Sequence, residues 1–527
     1  MSTVKHGKRL YKQMALEVAV RTPERYIDIL KTFAKFEEKN LNDACILDMY
    51  VQLYLDSVID ANDLEEENLN GEYLKKYITK HKTHNNEWGF PTGYQAAFTR
   101  YLKTLSEFGF IYSQYNEPFK LSPVAKALVA DRITLSEAFA LQSMRFWRKS
   151  PYRRVLNDFN FFDFIFKVIM KQEEKGKKLS YAQLMVALFS DDGNVDSFID
   201  LIENNKIGND MDAAYKLVKS KYDKIDNEHA SVAKQETAFR DYGNTVFRVL
   251  QLTGFVTVDY SGVILLSINK NRLAFLKELQ NKKFKISETA QENEYEYFKI
   301  LGSFSNELEE LIVSYREQED MSTADYNQKI PNILSSYRLD KETLASYLID
   351  VCNCRKDSRV FWFIQAPIKF ELLLTLYLYT CYGDKYAYKP NFKCDDAGIP
   401  YSHAPGNIGD IEIYNSTLYW LVEATLIKNK TQQINNETVN LFRHISSKKY
   451  KEKFLSLVAP YIHDDTKLMI DVATIISMIE TKEVALYSLP QAIDDFIQSG
   501  KNKSNMDDIK KHSLDFIDTL KKFLIKK

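Results

Sequence analysis

Residues 409–426 read Gly-Asp-Ile-Glu-Ile-Tyr-Asn-Ser-Thr-Leu-Tyr-Trp-Leu-Val-Glu-Ala-Thr-Leu, and this stretch decides how the C-terminal half folds. β-Branched and aromatic residues on both sides of a turn-forming group predict two short antiparallel strands. With residues 416–417 as the loop, the pairing places Asp410 directly opposite Glu423. Like charges with Cβ atoms roughly 5 Å apart are destabilising. The stretch therefore predicts a cation between them, and Mg²⁺ is the hard cation that combines one or two carboxylates with phosphate oxygens.

Side-chain alternation along the second strand supports the same site. Tyr419, Leu421, Glu423 and Thr425 share one face of the strand, so Glu423 and Thr425 project together toward Asp410. The alternative is a surface hairpin that carries two solvated acids, because short strings of this kind also occur by chance.

Length and charge bound the class of protein. A chain of 527 residues predicts three or four units at about 150 residues each. Lys and Arg number 71 against 72 Asp and Glu, which gives a formal charge of −1. Any nucleic-acid binding must therefore come from local basic patches rather than from the whole chain.

Cysteine usage and hydropathy indicate the compartment. Five cysteines without CxxC pairing predict buried, reduced thiols. The N-terminus lacks the apolar core of a signal peptide, and the most apolar run, 370–381, is too short to span a bilayer. The sequence therefore predicts a soluble, cytoplasmic protein without membrane partners.

An internal repeat marks the N-terminal half. Gly-Phe-Ile at 109–111 matches Gly-Phe-Val at 254–256, and Leu-Ser at 121–122 matches Leu-Ser at 266–267. In both copies an amphipathic helix ends at the Gly, a hairpin follows, and a further helix comes after it. This order predicts two winged helix-turn-helix units, which bind either DNA or another protein.

In the DNA-binding interpretation, the helix before the Gly enters the major groove, where Arg and Gln read guanine and adenine edges. A cluster at 145–154 interleaves basic and aromatic residues, and it is either a phosphate-contacting segment or a helix face with extended basic side chains. The DNA-binding candidates are Arg21, Arg25, Gln95, Arg100, Lys103, Arg153, Arg240 and Arg248.

A polar run from 282 to 296 predicts a domain boundary. We expect a first recognition subdomain at 1–135, a second at 136–281, a linker and helical arm at 282–350, and a C-terminal domain at 351–527. The predicted fold class is α/β multi-domain, with a mainly α recognition region and a C-terminal mixed sheet flanked by helices.

The helix predicted at 367–379 is almost wholly apolar and carries one acid, Glu371. A carboxylate on a buried helix is costly unless it is paired or coordinates a metal. Glu371 is therefore either a member of the acidic site or a residue on a narrow exposed edge, paired with Lys369 or Lys385.

An acid, a second strand with Glu-x-Lys or a variant of it, and a following helix resemble the PD-(D/E)xK nuclease core. Here Asp410, twelve residues and Glu-Ala-Thr-Leu resemble the AlwI-type family of type IIS restriction and nicking endonucleases, with Thr425 in place of Lys. Val-Arg-Thr-Pro-Glu-Arg at 20–25 and the strand at 455–462 resemble the same family. The helix predicted at 431–445 carries further acidic and polar residues.

This resemblance implies a sequence-specific endonuclease that binds double-stranded DNA at a short asymmetric site and hydrolyses a phosphodiester at a fixed distance, with one or two Mg²⁺ ions. The implied metal ligands are Asp410 and Glu423. Glu371, Thr425 and Glu437 complete the implied catalytic set. Lys428 is a candidate replacement for the motif lysine, and His444 is a candidate base or phosphate contact.

The resemblance also implies a prokaryotic restriction-modification enzyme that binds DNA as a monomer, with a transient dimer or a second subunit for double-strand cleavage. Two alternatives stay open. One is a catalytically silent, sequence-specific DNA-binding protein, and the other is a structure-specific or transposition nuclease of the same superfamily.

Overall fold

The chain divides into two compact units, residues 1–319 and 320–527. The structure is a computed structural model that describes residues 11–17, 20, 23–59, 70–80, 93–153, 155–222, 232–260, 262–316, 321–354, 361–403, 408–428, 433, 450–481 and 485–525. The first unit is mainly helical, and the second contains a five-stranded sheet.

The described helices of the first unit are α1 Tyr26–Ala34, α2 Asp43–Leu55, α3 Gly71–Lys80, α4 Tyr94–Glu107, α5 Pro123–Val129, α6 Leu135–Arg145, α7 Phe161–Glu174, α8 Tyr181–Ala187, α9 Val195–Asn204, α10 Met211–Tyr222, α11 Val232–Leu252, α12 Leu273–Asn281, α13 Glu288–Glu292, α14 Glu294–Leu301 and α15 Asn306–Arg316. Its strands are β1 Ile111–Tyr112, β2 Lys120–Leu121, β3 Leu179–Ser180, β4 Val256–Tyr260 and β5 Ile264–Ile268.

Both copies of the predicted repeat contain a helix, a left-handed glycine, an antiparallel hairpin and a further helix. Gly109 follows α4 with φ +71°, and Gly254 follows α11 with φ +68°. The first hairpin pairs β1 with β2, and the second pairs β4 with β5. In the second copy β3 adds a strand to the sheet, in the order β3-β5-β4. The sequence therefore predicted the repeated elements correctly.

The sequence analysis aligned residues 121–122 of the first hairpin with residues 266–267 of the second. The structure shows that this alignment is wrong by two residues. The Ser122 N–H donates to the Phe110 carbonyl, and in the second copy the Asn269 N–H donates to the Phe255 carbonyl, both at 2.9 Å. Ser122 therefore corresponds to Asn269 rather than to Ser267. The second hairpin is longer, and the two equivalent residues both cap the helical turn that follows.

The second unit contains α16 Thr323–Ser336, α17 Lys341–Cys352, α18 Ala366–Tyr382, α19 Asp464–Thr481, α20 Ile493–Asn502 and α21 Asn505–Ile525. Its strands are β6 Ala387–Pro390, β7 Lys393–Cys394, β8 Pro400–Ser402, β9 Ile411–Tyr414, β10 Leu418–Ala424, β11 Glu452–Ala459 and β12 Ala485–Ala492. The sheet order is β12-β11-β10-β9-β6, with β10, β11 and β12 parallel and the other neighbours antiparallel. The predicted mixed sheet is confirmed.

Helices pack on both faces of this sheet. Leu421 and Leu457 form a buried cluster with Ile470 of α19 on one face. On the other face the Trp420 ring lies 6.0 Å from Tyr382 at the end of α18 and 6.2 Å from Phe496 of α20. Strands covered in this way are nearly continuous apolar runs, which explains why β10 has few polar residues.

All five cysteines are free thiols, as predicted, but their burial differs from the prediction. Cys45, Cys352 and Cys381 are buried, Cys394 is intermediate and Cys354 is exposed. Across the described ranges, no helix is both long enough and apolar enough to cross a membrane.

Candidate active site

The strands β9 and β10 pair in the register that the sequence predicted. Tyr414 lies opposite Tyr419 and Ile411 lies opposite Val422, so the next pair outward is Asp410 and Glu423. The Asn415 N–H donates to the Leu418 carbonyl at 3.0 Å and closes the two-residue loop. Hairpin pairing alone therefore brings the two carboxylates to the same end of the sheet.

Backbone groups hold both carboxylates in place. The Ala424 N–H donates to Asp410 Oδ2 at 2.8 Å, and the Asp410 N–H donates to Glu423 Oε2 at 3.3 Å. A Cβ atom added at Gly409 would lie 2.4 Å from Leu421 Cδ1 and 2.8 Å from Glu423 Oε1. Only a glycine therefore lets the chain pass this close to Glu423.

Helix α18 brings a third carboxylate to the site. Glu371 is 4% exposed, so it does not lie on the exposed edge considered as the alternative. Its Oε2 atom is buried, and no group in the described part of the chain donates a hydrogen bond to it. A buried carboxylate oxygen that lacks a partner is costly, so this position favours a bound cation.

Two of the three carboxyl groups, Asp410 and Glu371, have a raised pKa. Burial raises the pKa of Asp410 well above its usual range, and the negative charges of Glu371 and Glu423 raise it further. Burial likewise raises the pKa of Glu371, although His403 opposes that shift. A cluster of this kind is stabilised by any positive charge that enters it.

His403 is a member of the site that sequence reasoning missed. Its Nδ1 lies 3.8 Å from Glu371 Oε1, and its Nε2 lies 2.7 Å from Gln365 Oε1, just before α18. His403 follows β8. Its separation along the chain from Glu371 is about the same as its separation from Glu437. A lone histidine in a loop gives no periodic signal, so only the tertiary structure places it here.

Thr425 and Lys428, the two candidates for the motif-lysine position, lie in the segment that follows β10. The Thr425 hydroxyl oxygen accepts from the Ile427 N–H at 3.2 Å, which turns the chain after β10. Lys428 is exposed, and its carbonyl accepts from His463 Nε2 at 2.8 Å. Thr425 therefore shapes the end of the strand.

A fourth acid, Glu412 of β9, has a different environment from Glu371, Asp410 and Glu423. Glu412 is 4% exposed, and its Oε1 accepts from Lys389 Nζ at 3.2 Å and from Asn391 Nδ2 at 3.0 Å. Lys389 lies directly opposite Glu412 on β6. The protein thus neutralises Glu412 with its own side chains, which makes this residue a natural control for the acidic site.

The acidic site offers the type of ligand that a hard cation such as Mg²⁺ prefers. The ligands available are carboxylate oxygens, and the charges of Glu371 and Glu423 both act on Asp410. Within the described part of the chain, no three acidic, histidine or cysteine side chains are close enough to hold a metal ion as they stand. Mg²⁺ usually keeps several waters and takes only one or two protein carboxylates, so Asp410 and Glu423 suffice if water and phosphate supply the rest.

Two site candidates, Glu437 and His444, lie outside the described residues, as does most of the helix predicted at 431–445. Gln433 is described and is fully buried. Its Nε2 donates to the carbonyls of Ile427 and Tyr461 at 2.8 and 2.7 Å. Gln433 therefore joins the segments that follow β10 and β11.

The basic cluster at 145–154 is largely buried in the first unit. Arg145 donates to the carbonyls of Leu301 and Ser303, and Arg148 donates to the carbonyls of Ser190 and Lys12. Arg153 pairs with the buried Glu107 at 2.6 Å. These arginines are bound to the protein itself, and Arg154 and Arg21 lie outside the described residues.

The remaining DNA-binding candidates differ in exposure. Gln95 is 7% exposed and belongs to the core of α4, and Lys103 lies 3.8 Å from the Glu17 carboxylate. The residues with an exposed or half-exposed guanidinium are Arg25, Arg100, Arg240 and Arg248.

These four arginines form two pairs. Burial raises the pKa of Tyr101, and the charges of Arg25 and Arg100 both oppose that shift. Burial raises the pKa of Tyr181 in the second copy, where Arg248 and Arg240 oppose it. Each copy of the repeat therefore carries two guanidinium groups near one tyrosine.

Comparisons with known proteins identify a family that matches most of this chain. The family model for the AlwI restriction endonuclease matches residues 106–355 and 353–498. A solved structure that matches is the small subunit (R.BspD6I2) of the heterodimeric restriction endonuclease R.BspD6I, at 20% identity over 32% of this chain and 87% of that chain. Its TM-score is 0.25, so this likeness supports no argument about the fold. No curated protein matches the chain.

Proposed function

The chain belongs to the AlwI restriction endonuclease family, and on that premise we propose that it is a Mg²⁺-dependent type IIS or nicking endonuclease. Restriction endonucleases are sequence-specific DNA nucleases. The proposal adds that the enzyme cuts at a fixed distance outside a short asymmetric site, in one strand or in both.

The observation that carries the proposal is the cluster of Glu371, Asp410 and Glu423. The charges of Glu371 and Glu423 both act on Asp410, and within the described ranges the buried Glu371 Oε2 has no hydrogen-bond partner. Glu412, on the strand that follows Asp410, accepts hydrogen bonds from a lysine and an asparagine. The fold neutralises a buried acid two residues along the chain from Asp410, which supports a cation that arrives with the substrate as the partner of the other three.

Asp410 and Glu423 would hold the ion, and Glu371 would add negative charge to the same site. When bound, Mg²⁺ polarises the scissile phosphate and lowers the pKa of the attacking water. The N–H groups of Ala424 and Asp410 fix the orientation of the two carboxylates before substrate binds. His403 lies at the rim of the site, where it can orient a water or contact a phosphate oxygen.

DNA recognition is assigned to the first unit, as two winged-helix units. The order of helix, glycine, hairpin and helix in both copies supports this assignment. The proposed contacts are Arg25, Arg100, Arg240 and Arg248, because these side chains are exposed or half-exposed. Arg153 and Gln95 are not in this set, because Arg153 pairs with the buried Glu107 and Gln95 is itself buried.

The test is to incubate supercoiled plasmid DNA with the protein in Mg²⁺ or in EDTA, and to map breaks on both strands by run-off sequencing. We expect discrete Mg²⁺-dependent breaks at one distance from a shared short sequence. Breaks on one strand would define a nickase, and breaks on both would define a double-strand cutter.

The matched control is Glu412→Gln, which removes a buried acid from the same strand but leaves the three carboxylates intact. We expect Asp410→Asn and Glu423→Gln to abolish breaks while specific DNA binding persists, and Glu412→Gln to cut. If wild-type protein binds a specific sequence but breaks no DNA, the protein is a catalytically silent binder. Breaks that follow DNA structure rather than sequence would identify a structure-specific nuclease.

A further inference from the structure

A cavity of about 420 Å³ opens in the first unit, away from the proposed recognition arginines in sequence. It lies among the end of α6, the start of α7, the loop before α9 and the segment after α12. Cavities of roughly 300–1,000 Å³ with apolar walls and a few polar groups are the usual form of a small-ligand site.

The walls of the cavity are aromatic. Phe159 and Phe164 are buried at its floor, and Trp147 and Phe284 are half-buried side chains of its lining. Phe159 and Phe164 meet edge to face with ring centroids 5.6 Å apart. Aromatic faces of this kind stack with any nucleobase, because every base has a π-face.

Charged side chains contact these aromatic walls, namely the buried Arg145 and Arg148 and the exposed Asp158. The Arg145 guanidinium lies 4.8 Å from the Phe284 ring centroid, and that of Arg148 lies 5.3 Å from Phe159. Trp147 Nε1 donates to Asp158 Oδ1 at 2.6 Å. Arg145 and Arg148 therefore pack against two walls of this cavity. They belong to the cluster at 145–154, for which the sequence predicted either phosphate contacts or a helix face with extended basic side chains.

A glycine keeps the cavity open to Phe159. A Cβ atom added at Gly193 would lie 2.4 Å from Phe159 Cδ2, and the backbone there has φ +66°. A side chain at this position would displace the ring, so the shape of the wall depends on glycine.

The rim of the cavity is positively charged. Lys283 and Lys285 are exposed residues of its lining. The one lining acid, Asp163, is already paired with Lys167 at 2.6 Å and accepts from Gln280 Nε2 at 2.9 Å. The ligand that matches aromatic walls and two lysines at the rim is aromatic and anionic.

We propose that this cavity binds one nucleotide, with the base against the aromatic walls and the phosphate at Lys283 and Lys285. The nucleotide is either a free mononucleotide or a nucleotide unstacked from DNA. Only the second source rests on the proposed function, and the pocket itself does not depend on cleavage.

The first experiment titrates the full-length protein with dAMP and follows tryptophan fluorescence, with deoxyadenosine and inorganic phosphate as partial ligands. We expect dAMP to change the fluorescence of Trp147 and to bind more tightly than either partial ligand. Trp147→Phe should lose the signal, while equilibrium dialysis still detects dAMP. The Asp410→Asn protein should bind dAMP as wild type does.

The decisive variants alter the rim, which is exposed and therefore tolerant. Replacing Lys283 and Lys285 together by Ala should weaken dAMP binding by roughly tenfold, because two charge-assisted contacts are lost. Lys282→Ala is the matched control, since this neighbour is exposed but does not line the cavity. Equal affinity in the double variant and in wild type would overturn the proposal.

The second experiment distinguishes the two sources. Duplex DNA that contains 2-aminopurine at each position in turn reports unstacking as a change in fluorescence. A change at one position that Phe284→Ala removes would assign the pocket to DNA. Binding of dAMP without such a change would assign it to a free nucleotide. If neither dAMP nor any duplex gives a signal, the pocket does not bind nucleotides.

Discussion

Two groups of buried charges, the acids of the second unit and the arginines of the first, are treated differently by this protein. Among the described residues no group donates a hydrogen bond to the buried Glu371 Oε2, and Asp410 lies among like charges. Arg148 donates to the carbonyls of Ser190 and Lys12 and lies against the Phe159 ring, and Arg272 lies against the rings of Phe255 and Phe275. Burial lowers the pKa of Arg148 to about 9 and that of Arg145 to about 10.

The difference teaches how to separate structural from functional buried charge. A guanidinium that receives carbonyl oxygens and a ring face can stabilise the fold by itself. A group of like-charged carboxylates destabilises the fold until a cation binds. Arg148 thus meets carbonyl oxygens and a ring face within the chain, whereas Asp410 meets the negative charges of two other carboxylates.

The largest expected effect comes from removing one charge of the acidic group. Asp410→Asn should lower cleavage roughly 10³-fold, from loss of roughly 4 kcal/mol of transition-state stabilisation. Without metal the same change should raise the free energy of unfolding by about 1–2 kcal/mol, because repulsion decreases. Plasmid cleavage and urea unfolding test the two outcomes. A variant that loses activity and stability together would contradict a functional role for this charge.

The second-largest expected effect comes from replacing a buried arginine. Arg148→Met should destabilise the first unit by roughly 3 kcal/mol, because the carbonyls of Ser190 and Lys12 lose their donor. The neighbouring Lys149→Met removes an ion pair with Asp158 at 3.6 Å and should cost about 0.5 kcal/mol or less. Urea midpoints of the two variants give the comparison. Equal midpoints would mean that the buried arginine is not structural.

Glu294 extends the comparison between buried acids and buried arginines, because it is a carboxyl group with a raised pKa in the unit that contains the buried arginines. Burial and the charge of Glu117 raise its pKa to about 7. The folded state therefore prefers the protonated form, so its contribution is present below the ordinary pKa and is lost as the pH rises to 7. Glu294→Gln should stabilise the protein by roughly 2–3 kcal/mol above pH 7 and by little at low pH.

Thermal unfolding of Glu294→Gln at pH 5 and pH 8 measures this effect. Glu296→Gln is the control, because Glu296 is paired with Lys299 at 2.7 Å on the protein surface. The control should shift stability by less than about 1 kcal/mol at either pH. A gain for Glu294→Gln that is the same at both pH values would rule out titration as its cause.

The smallest effects concern the exposed arginines, which contrast with the buried ones. Arg100→Ala and Arg240→Ala should each weaken DNA binding by roughly fivefold and lower the slope of log K against log salt by about one. Stability should be unchanged. Lys175→Ala, which removes an exposed ion pair with Glu203, is the control. Fluorescence anisotropy at several salt concentrations tests this, and an unchanged salt slope would remove these residues from the DNA surface.

The sequence by itself determined the features that depend on local periodicity. Strand alternation and loop length placed Asp410 opposite Glu423, since the register of a hairpin follows from its turn. The glycine at the end of each repeated helix and the hairpin after it were likewise readable, because a left-handed residue there is a local requirement. The sequence did not reveal the two added residues of the second hairpin, because a register shift of two residues keeps the same side chains on each face.

Only the tertiary structure decided which charges face inward and which groups meet. His403 reaches Glu371 across a gap of 32 residues in the chain, and nothing in its neighbourhood marks it. The cluster at 145–154 predicts either phosphate contacts or a helix face with extended basic side chains, yet Arg145 and Arg148 are buried among carbonyl groups and rings from distant segments. Spacing along the chain fixes the face on which a side chain projects, but its partners depend on how distant elements pack together.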